Sequence, residues 1–207
     1  GVWGSDANNV WAVGYSGTIL KWNGSSWSSQ SSGSTQPLYG VWGSDANNVW
    51  AVGGGGTILK WNGSSWSSQS SGSAQWLRGV WGSDANNVWV VGDGVTILKW
   101  NGSSWSSQSS GSMQSLSGVW GSDANNVWAV GRGGTILKWN GSSWSLQSSG
   151  STQPLSGVWG SDANNVWIVG YSGTILKWNG TSWSSQSSGS TQHLYGVWGS
   201  DANNAWA

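Results

Sequence analysis

The chain has 207 residues, seven basic and seven acidic side chains scattered singly, no cysteine, 35 glycines and 23 tryptophans. Charged residues make up only 7% of it, against about 25% in an ordinary soluble protein. The clustered Lys and Arg that neutralise phosphates or anionic lipid are missing, which excludes nucleic-acid binding and polybasic attachment to a membrane.

GVWGSDANNVWAVG begins at Gly1 and recurs almost unchanged at Gly40, Gly79, Gly118 and Gly157, and GVWGSDANNAWA runs from Gly196 to Ala207. The period is therefore 39 residues, giving five whole units and twelve residues of a sixth. Each unit reads as four short strands. Around the third copy, Leu77 to Trp81 is the first strand, and Ser83 to Asn87 is a turn whose polar side chains can bond their own backbone. Val88 to Val91 is the second strand, β-branched and aromatic. After a turn at Asp93-Gly94, the third strand runs from Thr96 to Trp100. Asn101-Gly102 predicts a two-residue type I′ hairpin, and Ser103 to Gln108 is the fourth strand, with Trp105 inside it. A Ser/Gly-rich loop leads to the next unit.

Four strands joined by tight turns at a period near 40 predict an all-β fold, a β-propeller of 39-residue four-stranded blades. A helical repeat fails because no stretch has 3.6-residue spacing, and a β-solenoid has shorter coils without a hairpin turn in each. Residues 1–207 are expected to form one repeat-built domain. The unit SDANNVWAVGYSGTILKWNGSSW resembles the blades of the BNR or Asp-box family. It is especially similar to the photosystem II assembly-factor type, whose blades share a WAVG-x-x-GTIL core followed by a turn and a Trp. The Asp-box itself departs from the pattern, since Asn23-Gly24-Ser25-Ser26-Trp27 has Asn for Asp and is one residue short.

Each unit carries tryptophan at the same four positions, Trp3, Trp11, Trp22 and Trp27 in the first. Blades that stack face to face bury both faces of their middle strands, so these rings are expected to fill the wedges between blades. Stacking on sugar rings is the alternative role, with Trp27 and its copies the best placed for it.

The copies differ at few positions. Unit position 15 reads Tyr15, Gly54, Asp93, Arg132 and Tyr171; position 17 carries Val95 among glycines. Position 37 reads Pro37, Trp76, Ser115, Pro154 and His193, and position 39 reads Tyr39, Arg78, Ser117, Ser156 and Tyr195. Positions 36 and 38 are always Gln and Leu, so every second residue varies, as in an extended segment with one face fixed. In an up-and-down blade the second–third turn and the loop between units emerge at one end, and the other two turns at the opposite end. Tyr15, Trp76, Arg78, Asp93, Arg132, Tyr171, His193 and Tyr195 are accordingly the candidate ligand-binding residues.

The opposite end is monotonous. Asp6 and Lys21 and their copies approach it, which predicts repeated Asp–Lys neighbours. Asp6-Ala7-Asn8-Asn9 offers too few oxygens for calcium, so capping of the turn is the expected role, and no metal or cofactor is expected. Asn23 and its copies match the N-glycosylation acceptor, although the turn alone accounts for them.

Catalytic chemistry is not in view. The chain has no Glu and a single His, whereas acid–base work needs paired carboxylates or a supported His. Sialidases among Asp-box propellers use an arginine triad with Tyr and Glu; Arg78 and Arg132 are the only arginines here. The expected function is non-enzymatic, multivalent binding of a glycan or a protein at the variable end of the blades. Two alternatives are a protein-interaction or assembly scaffold and a self-assembling structural repeat, with homo-oligomers or filaments formed through residues 196–207. The low charge and the wealth of Ser, Gly, Asn and Trp favour an extracellular setting. The start GVWGSDANN lacks the build of a signal peptide.

Overall fold

The computed structural model describes all 207 residues. Each whole unit is a four-stranded antiparallel sheet, a blade, whose strands are paired in chain order. Blade 1 contains β1 (Val2–Asp6), β2 (Asn9–Val13), β3 (Ile19–Trp22) and β4 (Trp27–Gln30). Blade 2 contains β5 (Leu38–Asp45), β6 (Asn48–Gly53), β7 (Ile58–Trp61) and β8 (Trp66–Gln69). Blade 3 contains β9 (Leu77–Asp84), β10 (Asn87–Gly92), β11 (Ile97–Trp100) and β12 (Trp105–Ser107). Blade 4 contains β13 (Leu116–Asp123), β14 (Asn126–Gly131), β15 (Ile136–Trp139) and β16 (Trp144–Gln147). Blade 5 contains β17 (Leu155–Asp162), β18 (Asn165–Gly170), β19 (Ile175–Trp178) and β20 (Trp183–Gln186). A half-blade, β21 (Trp198–Asp201) with β22 (Asn204–Trp206), follows. Blades 1 to 3 lie in one compact unit, residues 1–108, and the remainder in a second, residues 109–207.

The expected elements form, with differences of extent at their ends. The first strand of a unit continues through the Gly-Ser-Asp beyond its Trp, as in β9. The fourth strand begins at its Trp rather than two residues earlier.

The third–fourth turn is not the two-residue type I′ turn that Asn-Gly predicts. Its last strand pair is Trp22↔Trp27, which leaves a four-residue loop, and Gly24 alone in it has positive φ (94°). The reason lies in the asparagine side chain. Asn23 Oδ1 accepts the Ser25 N–H (3.0 Å), the Ser25 hydroxyl (2.9 Å) and the Ser26 N–H (2.9 Å), and Asn62, Asn101, Asn140 and Asn179 do the same. One carbonyl oxygen serving three donors outweighs the bonding a two-residue turn could offer.

At the same end of blade 1, Asp6 is saturated by its own turn. It accepts from Ser5 Oγ (2.9 Å), the Asn8 N–H (2.8 Å) and Asn9 Nδ2 (3.0 Å). The expected Asp–Lys neighbours do not form there. The Lys21 ammonium lies instead over the Trp11 and Trp61 rings, 5.0 and 5.1 Å from their centroids. Lys60 lies likewise over Trp50 and Trp100. A carboxylate whose lone pairs are filled locally has little left to offer, and two indole faces attract a partly desolvated cation.

The tryptophans carry the packing between blades, as the sequence predicts. Trp11, fully buried, meets Trp61 of the next blade at 4.9 Å and 59° and Trp66 edge-on at 5.1 Å and 88°, a geometry suited to the ring quadrupoles. Val13, Ile19, Leu38, Val41, Val49 and Leu59 complete that core. The same arrangement holds Trp50 against blade 3 and Trp128 against Trp178 and Trp183. The indole N–H groups of Trp11, Trp50 and Trp128 are buried with no acceptor, so a desolvation cost of roughly 1–3 kcal/mol opposes the gain from each ring's area. The glycine after the first-strand Trp is there for contact. A Cβ on Gly43 would stand 2.6 Å from the Trp3 ring of the preceding blade, so any larger residue would push the blades apart.

Candidate functional site

The variable positions do gather at one end of each blade. In blade 2 the Gly54 N–H donates to the Pro37 carbonyl (2.9 Å), and in blade 3 the Asp93 N–H donates to that of Trp76 (2.9 Å). These bonds tie each second–third turn to the loop that enters the same blade. Alternation does the rest: Leu38, Leu77, Leu116 and Leu155 are buried, so residues on either side of them face outwards.

In the first unit, residues 1–108, the structure joins Trp76, Arg78 and Asp93 and adds Tyr39. Arg78 donates to Asp93 through Nε (3.2 Å) and Nη2 (2.8 Å), a two-pronged contact that fixes the plane of the guanidinium. That guanidinium stands 5.0 Å from the Tyr39 ring and 4.9 Å from the Trp76 ring. The two rings themselves are stacked at 5.8 Å and 27°. Hydrogen bonding to Asp93, opposed by partial burial, holds Arg78 still further above its ordinary value. The outcome is an oriented cation flanked by aromatic faces, with Trp76 46% exposed. Tyr15, exposed, stands beside this group and lines a cleft of about 220 Å³ with Gly1, Val13, Gly14, Leu38 and Tyr39. Tyr39 is absent from the sequence-derived set, although it shares unit position 39 with Arg78 and Tyr195, and that shared position is the signal that points to it.

In the second unit, residues 109–207, Tyr171 and His193 are stacked at 4.0 Å and 15°. Tyr195 stands edge-on to both, at 6.2 and 6.3 Å. His193 Nδ1 accepts the Ser172 N–H at 3.2 Å, which orients the ring. Arg132 is not part of this group. It opens its own turn, exposed, its N–H donating to the Ser115 carbonyl (3.0 Å).

Tryptophans of the fourth strand do not form the row of open platforms that sugar stacking needs. Trp27 is 48% exposed, but Trp144 is 7% exposed, and Trp66, Trp105 and Trp183 are half-buried between blades. A shallow cleft of about 420 Å³ is lined by Trp61 and Trp66 together with Gln30, Ser31, Gly33, Ser64 and Ser65. No group of His, Cys, Asp or Glu side chains is arranged to hold a metal ion.

No family model matches the chain, and no curated protein sequence matches it. Similar structures are known. YCF48 bound to D1 peptide superposes with a TM-score of 0.62 at 16% identity, over 98% of this chain and 85% of that one. YCF48 from Cyanidioschyzon merolae gives 0.57 at 16%, over 97% and 89%. The RRP9 WD40 repeats give 0.73 at 14%, over 94% and 67%. The likeness establishes the fold, a β-propeller of four-stranded blades.

Proposed function

We propose that the chain is a non-enzymatic protein-interaction module that binds an extended peptide segment at the variable end of its blades. The observation that carries this reading is the Tyr39–Arg78–Trp76 group clamped by Asp93. Rigid aromatic faces around a fixed guanidinium resemble the anchors that dominate protein interfaces, and the repeats differ from one another chiefly at this end. YCF48 bound to D1 peptide shares the fold and takes a peptide, which supports the same use here. We read the third–fourth turn as an Asn-headed variant of the Asp-box, with a purely structural task.

Selection of a displayed random peptide library on the 207-residue chain tests the proposal. Enriched peptides should bind, and both Trp76→Ala and Arg78→Ala should weaken them at least tenfold without loss of fold. Binders indifferent to both substitutions would refute it. A second reading, glycan binding at a single site, rests on the cleft beside Trp61 and Trp66. Saturable binding of simple sugars, lost on Gln30→Ala with Ser64→Ala, would bring it forward.

A further inference from the structure

The side chains around Trp76 narrow what a bound segment can be. Arg78 spends Nε and Nη2 on the two oxygens of Asp93, so its Nη1 edge stays free and the paired charges leave the group neutral as a whole. The indole N–H of Trp76 likewise donates to nothing in the chain. With the Asp93 carboxylate engaged, the group presents side-chain donors beside aromatic faces and has little capacity to accept. A bound segment must therefore bring carbonyls. Any peptide N–H it brings against this group would be buried without an acceptor, which is costly.

The shape of the group adds a second constraint. His193 holds, in the loop after blade 5, the unit position that Trp76 holds after blade 2. His193 carries the Tyr171 ring on its face, nearly parallel at 4.0 Å and 15°. Blade 2 has Gly54 where blade 5 has Tyr171, so no side chain of that turn covers Trp76. Tyr39 meets the indole only at 5.8 Å, and Trp76 remains 46% exposed. Blade 2 thus offers an indole face open to one flat ring, whereas blade 5 supplies that ring from its own turn.

We infer that the segment bound here is proline-rich and in the polyproline II conformation. One proline ring sits on the open face of Trp76, and the carbonyls flanking it accept from Arg78 Nη1 and Trp76 Nε1. Proline meets both constraints. It has no N–H to bury, and its positively polarised C–H bonds suit the negative face of an indole. The polyproline II helix makes no internal hydrogen bonds, so its carbonyls are free to accept, and it loses little order on docking against aromatic side chains. A strongly charged segment finds no counter-charge in a neutral ion pair. This inference rests on the peptide reading of the variable end and specifies its ligand.

Its test is fluorescence anisotropy with a labelled peptide of three Ala-Pro-Pro repeats, titrated with the 207-residue chain, beside a peptide in which Ser replaces each Pro. Saturable binding of the first is expected, at least tenfold tighter than that of the second. Trp76→Ala should weaken it at least tenfold, as should Arg78→Lys, which keeps the charge but not the planar fork. Gly54→Tyr should do the same by setting a ring where the ligand's proline belongs. Tyr171 already stands beside Pro154 as that ring would stand beside Pro37, so the blade accommodates it. No saturation up to millimolar chain, equal binding of the two peptides, or binding indifferent to Trp76→Ala would each overturn the inference. Library-selected peptides that need Trp76 and Arg78 yet lack proline would overturn it and leave the peptide reading standing; the absence of any binding peptide would overturn both.

Discussion

The two ends of a blade are built from similar turn residues and do different work. At the end where the first–second and third–fourth turns meet, every whole unit repeats one set of bonds, Asp6 capping Asn8 and Asn9, and Asn23 capping Ser25 and Ser26. At the other end the backbone bonds are shared, but the side chains form a different group in each place: Arg78–Asp93 with Tyr39 and Trp76 in one, Tyr171–His193–Tyr195 in another. The contrast shows that a turn held by its own side chains leaves them little to offer a neighbour, whereas a turn held by backbone bonds leaves its side chains free to meet those of other units.

Both ends rest on the indole layer, so the largest effect is expected there. Trp50→Ala, at a fully buried ring, should cost about 3–5 kcal/mol in denaturant unfolding; a loss under about 1 kcal/mol would show that the blades do not depend on that wedge. At the constant end, Asn62→Ala removes the acceptor of three hydrogen bonds. It should cost about 1–2 kcal/mol, in the range of a lost helix cap, and leave peptide binding unchanged.

The variable end should behave in the opposite way. Val95 sits at φ 63°, a left-handed conformation that strains a β-branched residue by roughly 1–3 kcal/mol, at the position where the other units have Gly. Val95→Gly should therefore stabilise the chain by about 1 kcal/mol after the added flexibility of glycine is offset; a lower thermal midpoint would contradict the strain. Trp76→Ala should change stability by no more than about 0.5 kcal/mol while weakening peptide binding at least tenfold.

The smallest effect is that of acid. Burial pushes the Asp45 carboxyl up, but the bonds from the Asn47 N–H, Ser44 and Asn48 outweigh it and hold the group below its ordinary value of 3.8. Asp84 and Asp123 follow the same pattern. A folded value below the unfolded one means that the stabilisation is present above 3.8 and is lost as pH falls through the lower folded values. Unfolding midpoints should be level from neutrality to about that pH and drop beneath it. Asp45→Asn should flatten the drop; an unchanged pH profile would show that these turns contribute nothing.

The sequence by itself determined the blade, because its signals are local: β-branched alternation, turn residues at fixed offsets and a 39-residue period recur in each copy. It also marked the variable end, since positions 15, 37 and 39 change while the Gln and Leu between them do not. Tertiary structure alone decided what the side chains do. Lys21 leaves Asp6 for Trp11 and Trp61 because the second indole comes from the next blade, brought there by packing. Tyr39 joins Arg78 and Trp76 for the same reason, across 39 residues of chain. Periodicity fixes where a side chain emerges; which neighbour meets it depends on how separate blades come to lie against one another.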